Sequence, residues 1–200
     1  MFRFIESIKY KNGKLQNLPF HNDRFRKTRG AFFSIYDDAK LEELIKLPSS
    51  HDNTSLQKCR IIYGKTIHKI EFIPYTIKQI SSLKIVNADY AVYSYKYADR
   101  SELEHLFRKR KECDDILIVK NKLVSDSSYA NILFLDGKKW ITPSAPLLKG
   151  TQREYLIHKG IIREKNIAVS DIRRFKKFKL INALRSFDEA PEIDIANIKP

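Results

Sequence analysis

The segment that most constrains this chain runs from Lys120 to Arg153, KNKLVSDSSYANILFLDGKKWITPSAPLLKGTQR. Apolar runs at Leu123-Val124, Ile132 to Leu135 and Trp140 to Thr142 are short enough for strands and are separated by turn-forming residues. Asp136-Gly137 marks a turn between the last two, and Gly150-Thr151-Gln152 stands where a helix begins. The pattern predicts a small sheet passing into a helix, with a carboxylate (Asp126), an amide (Asn131) and a helix start strung along it.

Strand-like and helix-like patterns alternate through the rest of the chain, so the class is mixed α and β. Two hundred residues, 42% of them hydrophobic, suffice for one large domain or two small ones sharing a cleft. No apolar run approaches the ~18 residues of a membrane span. The opening MFRFIESIKY is broken by Arg3, Glu6 and Lys9, unlike a signal peptide, so a cytoplasmic protein is expected. Cys59 and Cys113 are far apart and have no clustered ligands, which predicts two free thiols and no metal site. A net charge of +14 can mark a nucleic-acid partner. Here the cations are dispersed, and only Arg173-Arg174-Phe175-Lys176-Lys177-Phe178-Lys179 is dense. Its two phenylalanines, three apart, suit an amphipathic segment with solvated charges, so nucleic acid is not expected; a basic surface also steers anionic substrates inward.

Along the chain, Phe2 to Tyr10 reads as a strand entering an Asn12-Gly13 hairpin, and His21 to Tyr36 as a helix capped by Asn22 or Asp23. A short helix holds Leu41, Leu44 and Ile45, and Pro48 to Thr54 is a polar loop. Lys58 to Tyr63 and Ile67 to Ile73 pair about Gly64; Ser81 to Val86 and Tyr90 to Tyr95 are further strands. The domain boundary is placed at 93/94, giving a small α/β domain (1–93) and a larger one (94–200). The second opens with a helix holding Leu103, Leu106 and Phe107 and continues through the strand Ile116 to Val119. After the central segment come a helix from Arg153 to Ile162 and strands near Ala168 and Leu180.

The central segment resembles the core motif of the class IV pyridoxal-phosphate enzymes, the family of branched-chain and D-amino-acid aminotransferases and aminodeoxychorismate lyase. The resemblance rests on Asp126, Asn131-Ile132-Leu133-Phe134, Thr142-Pro143 and Leu147-Leu148-Lys149-Gly150-Thr151-Gln152-Arg153. It extends upstream to Phe4-Ile5-Glu6-Ser7-Ile8, Asn12-Gly13-Lys14 and His21-Asn22-Asp23-Arg24, and downstream to Asn182-Ala183-Leu184. It implies an α+β, two-domain fold type IV enzyme with pyridoxal 5'-phosphate in the cleft between the domains, a small-molecule amino substrate and a homodimer. Relatives begin with an additional strand and hairpin, so a shortened N-terminal domain is expected.

By the same resemblance Lys96, thirty residues before Asp126, is the Schiff-base lysine. Asp126 takes the place of the glutamate that keeps the ring nitrogen protonated, and is one methylene shorter. Gly150, Thr151 and Gln152 form the phosphate-binding helix start, with Gln152 where the family has a hydroxyl residue. Arg24 ties down the phosphate, Asn182 closes over it, and His21 is structural. Read from the residues alone, Lys96 is one of 38 basic residues, Asp126 among Ser125, Ser127 and Ser128 also suits a turn cap, and Arg24 suits a helix surface.

The tyrosine that branched-chain aminotransferases carry five residues after the lysine is Ser101 here. Lys96-Tyr97-Ala98-Asp99-Arg100 instead resembles the Lys-x-x-Asn-Arg pattern of aminodeoxychorismate lyases. The resemblance therefore implies a 4-amino-4-deoxychorismate lyase. A branched-chain or D-amino-acid aminotransferase, and a non-enzymatic basic binding protein, are the alternatives.

Overall fold

The computed structural model describes residues 2–48 and 55–200. The chain packs as two compact units. The first takes in residues up to Ile77 together with Tyr95–Asp99; the second takes in Lys78–Ser94 and Arg100–Pro200.

In chain order the first unit contains β1 (Phe4–Lys11), β2 (Lys14–Leu15), α1 (Leu18–Phe33), α2 (Leu41–Leu44), β3 (Gln57–Tyr63) and β4 (Ile67–Pro74). The strands form an antiparallel sheet in the order β2-β1-β3-β4. Asn12 and Gly13, at φ 52° and 72°, make the β1–β2 turn, a left-handed pair that matches strand twist. The helix starts earlier than the sequence pattern suggests. α1 opens after Asn17, at φ 55°, with a proline in its first turn, so Asn22 lies inside the helix rather than at its cap. There Asn22 is buried, donates to Glu42 (2.8 Å) and accepts from the Leu41 N–H (2.9 Å), fixing the start of α2. Most of the expected polar loop, 49–54, lies outside the described residues.

The aromatics of this unit pack on one another. The buried Phe4 ring lies 4.7 Å from Phe32, 5.2 Å from Tyr97 and 5.9 Å from Tyr63, centroid to centroid. Phe2 and Tyr36 stay exposed.

The second unit contains β5 (Leu83–Asn87), α3 (Ser101–Arg108), β6 (Asp115–Lys120), β7 (Leu123–Ser127), β8 (Asn131–Asp136), β9 (Lys139–Pro143), α4 (Thr151–His158), β10 (Ile162–Lys165), β11 (Lys177–Ile181), β12 (Ile193–Asp194) and β13 (Ile198–Lys199). The sheet order is β10-β9-β8-β7-β6-β5-β13, with β11 joined to β8 and β12 to β11. Strands β6 and β8 are buried over most of their length and supply the middle of the core with Phe178 and Leu180.

Residues 78–94 pack in the second unit, where β5 pairs in parallel with β6, and Tyr95–Asp99 pack in the first. Three elements differ from the sequence expectation. Tyr90 to Tyr95 is irregular rather than a strand: it follows a turn in which the Ala91 N–H donates to the Ala88 carbonyl, and Tyr90 and Val92 are exposed. The helix expected to reach Ile162 ends at His158, where Gly160 turns left-handed at φ 68° and releases the chain into β10; near Ala168 there is only an isolated bridge to Leu123.

The dense cationic run is largely engaged within the chain. Arg173 donates to the Ile198 carbonyl, Arg174 pairs with Asp171, Lys177 with Glu192, and Lys179 lies over the Trp140 and Phe187 rings. Both phenylalanines of the run are buried, Phe178 within β11.

Candidate active site

The side chains singled out in the sequence fall into two groups, one on each unit. In the second unit, β7 and β8 are joined by a tight turn and share a single residue pair, Asp126 opposite Asn131. Asn131 in turn lies opposite Ile181 of β11, so the turn beginning at Asn182 leaves the sheet one residue beyond the level of Asp126. The β9–α4 loop closes on the same point: the Leu148 N–H donates to Asp126 Oδ2 (3.0 Å) and the Asn131 amide donates to Asp126 Oδ1 (2.7 Å).

Burial pushes the Asp126 carboxyl up to about 6, against the Leu148 and Asn131 hydrogen bonds and the longer-range pull of Arg153. Among the described residues no cationic side chain forms an ion pair with it. By contrast Arg153, fully buried in α4, is held by Glu154 and Glu164 (2.5 Å each) and donates to the Pro143 carbonyl (2.9 Å). The arrangement is a sequestered acid that would hold a cationic N–H brought against it.

Gly150 is the N-cap of α4, and Thr151 and Gln152 are buried in its first turn. The Glu154 N–H to Gly150 carbonyl bond (2.9 Å) is the first of the helix, so the N–H groups ahead of it lie at the positive end of the helix dipole. Asn182 uses its side-chain oxygen within its own turn, accepting from the Leu184 and Arg185 N–H groups (2.9 and 3.0 Å).

In the first unit Lys96 lies on the segment beside β1, and Arg24 is organised about Glu6 of that strand. The segment around Lys96 is laid against β1: the Ile5 N–H donates to the Lys96 carbonyl (2.9 Å), the Ala98 N–H to the Arg3 carbonyl (2.8 Å), and Phe4 bridges Tyr97. Glu6, fully buried, accepts two bonds from Arg24, Nε to Oε1 at 2.8 Å and Nη2 to Oε2 at 2.5 Å, and lies 2.5 Å from His21 Nδ1. Burial would raise the Glu6 carboxyl, but the Arg24 guanidinium and the hydrogen bonds from Arg24 and His21 bring it down to about 2. His21 is also fully buried, and its imidazole is held below its ordinary value by burial and by the positive charges of Arg24 and Lys96, which outweigh Glu6. A charged residue at an inward strand position, in a chain with His-x-x-Arg on the next helix, was the signal that could have found Glu6.

Both cysteines are free thiols; Cys59 is buried, which pushes it up to about 12. Among the described residues no group of three or more His, Cys, Asp or Glu side chains gathers as for a metal, and no helix is long and apolar enough to cross a membrane.

Comparison with known proteins gives this geometry a family. The model of the amino-transferase class IV family matches residues 3–189. A Haemophilus influenzae protein without a characterised activity is 39% identical over 186 residues, spanning 92% of this chain and 98% of its own. A crystal structure from Haemophilus somnus, of a protein proposed to be a 4-amino-4-deoxychorismate lyase, is 30% identical with a TM-score of 0.86, over 94% of this chain and 98% of that one. A fold-type IV transaminase from Curtobacterium pusillum shares the fold at 16% identity, with a TM-score of 0.75 over 96% of this chain and 78% of its own. The mixed α and β architecture is that of the fold type IV enzymes, a family that depends on pyridoxal phosphate. This chain belongs to the class IV aminotransferase family.

Proposed function

We propose that the chain is a pyridoxal-phosphate enzyme acting as a 4-amino-4-deoxychorismate lyase, which eliminates pyruvate and leaves 4-aminobenzoate. The observation that carries the cofactor reading is Asp126, a buried carboxyl with no ion-pair partner among the described residues and a raised affinity for protons. Asp126 would offer its charge, and remaining acceptor capacity, to a protonated ring nitrogen. When bound, the cofactor provides an electron sink for the bond-breaking step.

Each residue then has a task. Asp126 holds the ring-nitrogen proton in place. Lys96 would hold the cofactor through its Nζ, and its amine would serve as the base toward the substrate carbon that bears the amine. The first-turn N–H groups at Gly150, Thr151 and Gln152 receive the phosphate. Arg24 would offer a guanidinium to a phosphate, its orientation set by the two bonds to Glu6. Asn182 shapes the turn that borders the phosphate.

The lyase reading is supported by Ser101, where a transaminase-type tyrosine would stand, by Ala98-Asp99-Arg100 after Lys96, and by the likeness to the Haemophilus somnus protein. The substrate is a small amino compound, and the active form is a homodimer that covers exposed apolar side chains such as Phe2, Tyr36 and Leu47. Incubation of cofactor-loaded protein with 4-amino-4-deoxychorismate tests the reading: 4-aminobenzoate and pyruvate are expected in equal amounts without a keto acid. Product that appears only as an amino acid, and only when a keto acid is added, assigns the chain to the transaminases instead.

A further inference from the structure

We propose that Asn131 is a positioning residue for Asp126, and that residue 150 is a glycine so that the Asn131 amide can occupy its place. The inference rests on the reading of Asp126 as the acid facing the cofactor's ring nitrogen.

The backbone does little to fix Asp126. β7 and β8 share only the pair Asp126 opposite Asn131, because the chain turns back at once, with the Ser127 N–H donating to the Ala130 carbonyl (2.9 Å). The side chains close the gap. Both N–H bonds of the Asn131 amide are used, one to Asp126 Oδ1 (2.7 Å) and one to the Leu148 carbonyl (2.9 Å). The Leu148 N–H returns to Asp126 Oδ2 (3.0 Å). Asp126, Asn131 and the backbone of Leu148 thus form a closed hydrogen-bonded triangle linking β7, β8 and the loop ahead of α4. Each Asp126 oxygen receives one of these bonds and keeps further acceptor capacity for a ligand N–H.

The glycine gives a second, independent sign of the same design. A methyl group built on Gly150 would lie 2.1 Å from Asn131 Oδ1 and 3.2 Å from its Cγ; its three nearest neighbours are all Asn131 side-chain atoms. Gly150 has φ −70°, an angle any residue adopts, so conformation does not call for glycine. What calls for it is the close approach of the loop to the Asn131 amide. The oxygen of that amide abuts Gly150 while its nitrogen reaches Asp126, so moving the amide to relieve the contact moves the donor on the acid.

The test reads the acid itself. The Asp126 carboxyl is titrated by carboxyl-carbon NMR in the full chain without cofactor, in the wild type, Asn131→Ala, Gly150→Ala and the double variant. Loss of the Asn131 donor is expected to raise the Asp126 pKa by about one unit or more. Gly150→Ala is expected to raise it likewise by displacing the amide, and the double variant to match Asn131→Ala, because the added methyl then meets no side chain. An unchanged titration in Asn131→Ala, or a Gly150 effect that persists undiminished without Asn131, overturns the proposal. If Asn131→Ala does not fold, Asn131→Ser and Gly150→Ala carry the same comparison, with an unchanged titration in both again decisive. A purely structural role would lower stability and leave the Asp126 titration where it is. Adding pyridoxal phosphate to the wild type afterwards tests the other reading separately: a fall in the Asp126 pKa is expected. No fall counts against the cofactor assignment and leaves the result for Asn131 standing.

Discussion

Asp126→Asn changes the pH dependence of stability by an amount that follows from the structure. In the folded chain the carboxyl is raised from 3.8 to about 6 by burial, so the folded state binds this proton more tightly than the unfolded state does. Stability from this group is therefore greatest below pH 4 and is lost as the pH climbs through about 6. A rise of about two units at ~1.4 kcal/mol each makes the loss about 3 kcal/mol. The asparagine variant has no such loss. Its hydrogen bonds to Asn131 and Leu148 are also altered, which costs stability at every pH, so the diagnostic is the difference between the two proteins as the pH changes. Urea unfolding of cofactor-free protein at pH 4 and pH 8 measures it. The gap between variant and wild type is expected to move by about 2.5 kcal/mol in favour of the variant over that interval, most of the full loss. Parallel stability profiles would refute the argument that Asp126 is an uncompensated buried acid. With cofactor bound, the same variant is expected to keep the cofactor and lose most of its turnover, since an amide cannot hold a ring-nitrogen proton as a carboxylate does.

Glu6→Gln is expected to cost about 3 kcal/mol by leaving Arg24 without its buried carboxylate, and to weaken cofactor binding, both measurable by urea titration and by cofactor retention on dilution. Because Glu6 falls from 4.5 to about 2 in the folded state, its contribution is present above pH 4.5 and lost as the pH falls toward 2; acid unfolding curves of equal shape in variant and wild type would remove that role. Sedimentation at micromolar concentration is expected to give a dimer, and a monomer that binds cofactor and turns over would contradict the homodimer.

What was legible in the sequence was whatever local chemistry dictates. Asn12-Gly13 announces its turn because few residue pairs take two left-handed angles in succession, and the strands either side follow. The Asp126, Asn131 and Gly150 spacing was legible as a motif, but the physical reason for it was not, because it lies in contacts between β7, β8 and a loop nearly twenty residues on. Tyr90 to Tyr95 satisfied the strand pattern by composition, yet tertiary packing buries Tyr93 from an irregular segment and leaves its neighbours in water. Asn121 and Lys122 turn β6 into β7 at φ 50° and 63° without a glycine, a turn that composition does not advertise. Glu6 was hidden for a similar reason: a carboxylate within an apolar strand reveals its purpose only when α1 brings His21 and Arg24 against it.

The central claim is that Lys96 carries pyridoxal phosphate. The direct measurement is borohydride reduction of the full chain after incubation with the cofactor, followed by proteolysis and mass spectrometry. The account predicts a single reduced adduct on Lys96 in the wild type, and in Lys96→Ala a folded protein with no adduct. An adduct at another lysine, or one that persists at the same level in Lys96→Ala, would contradict it.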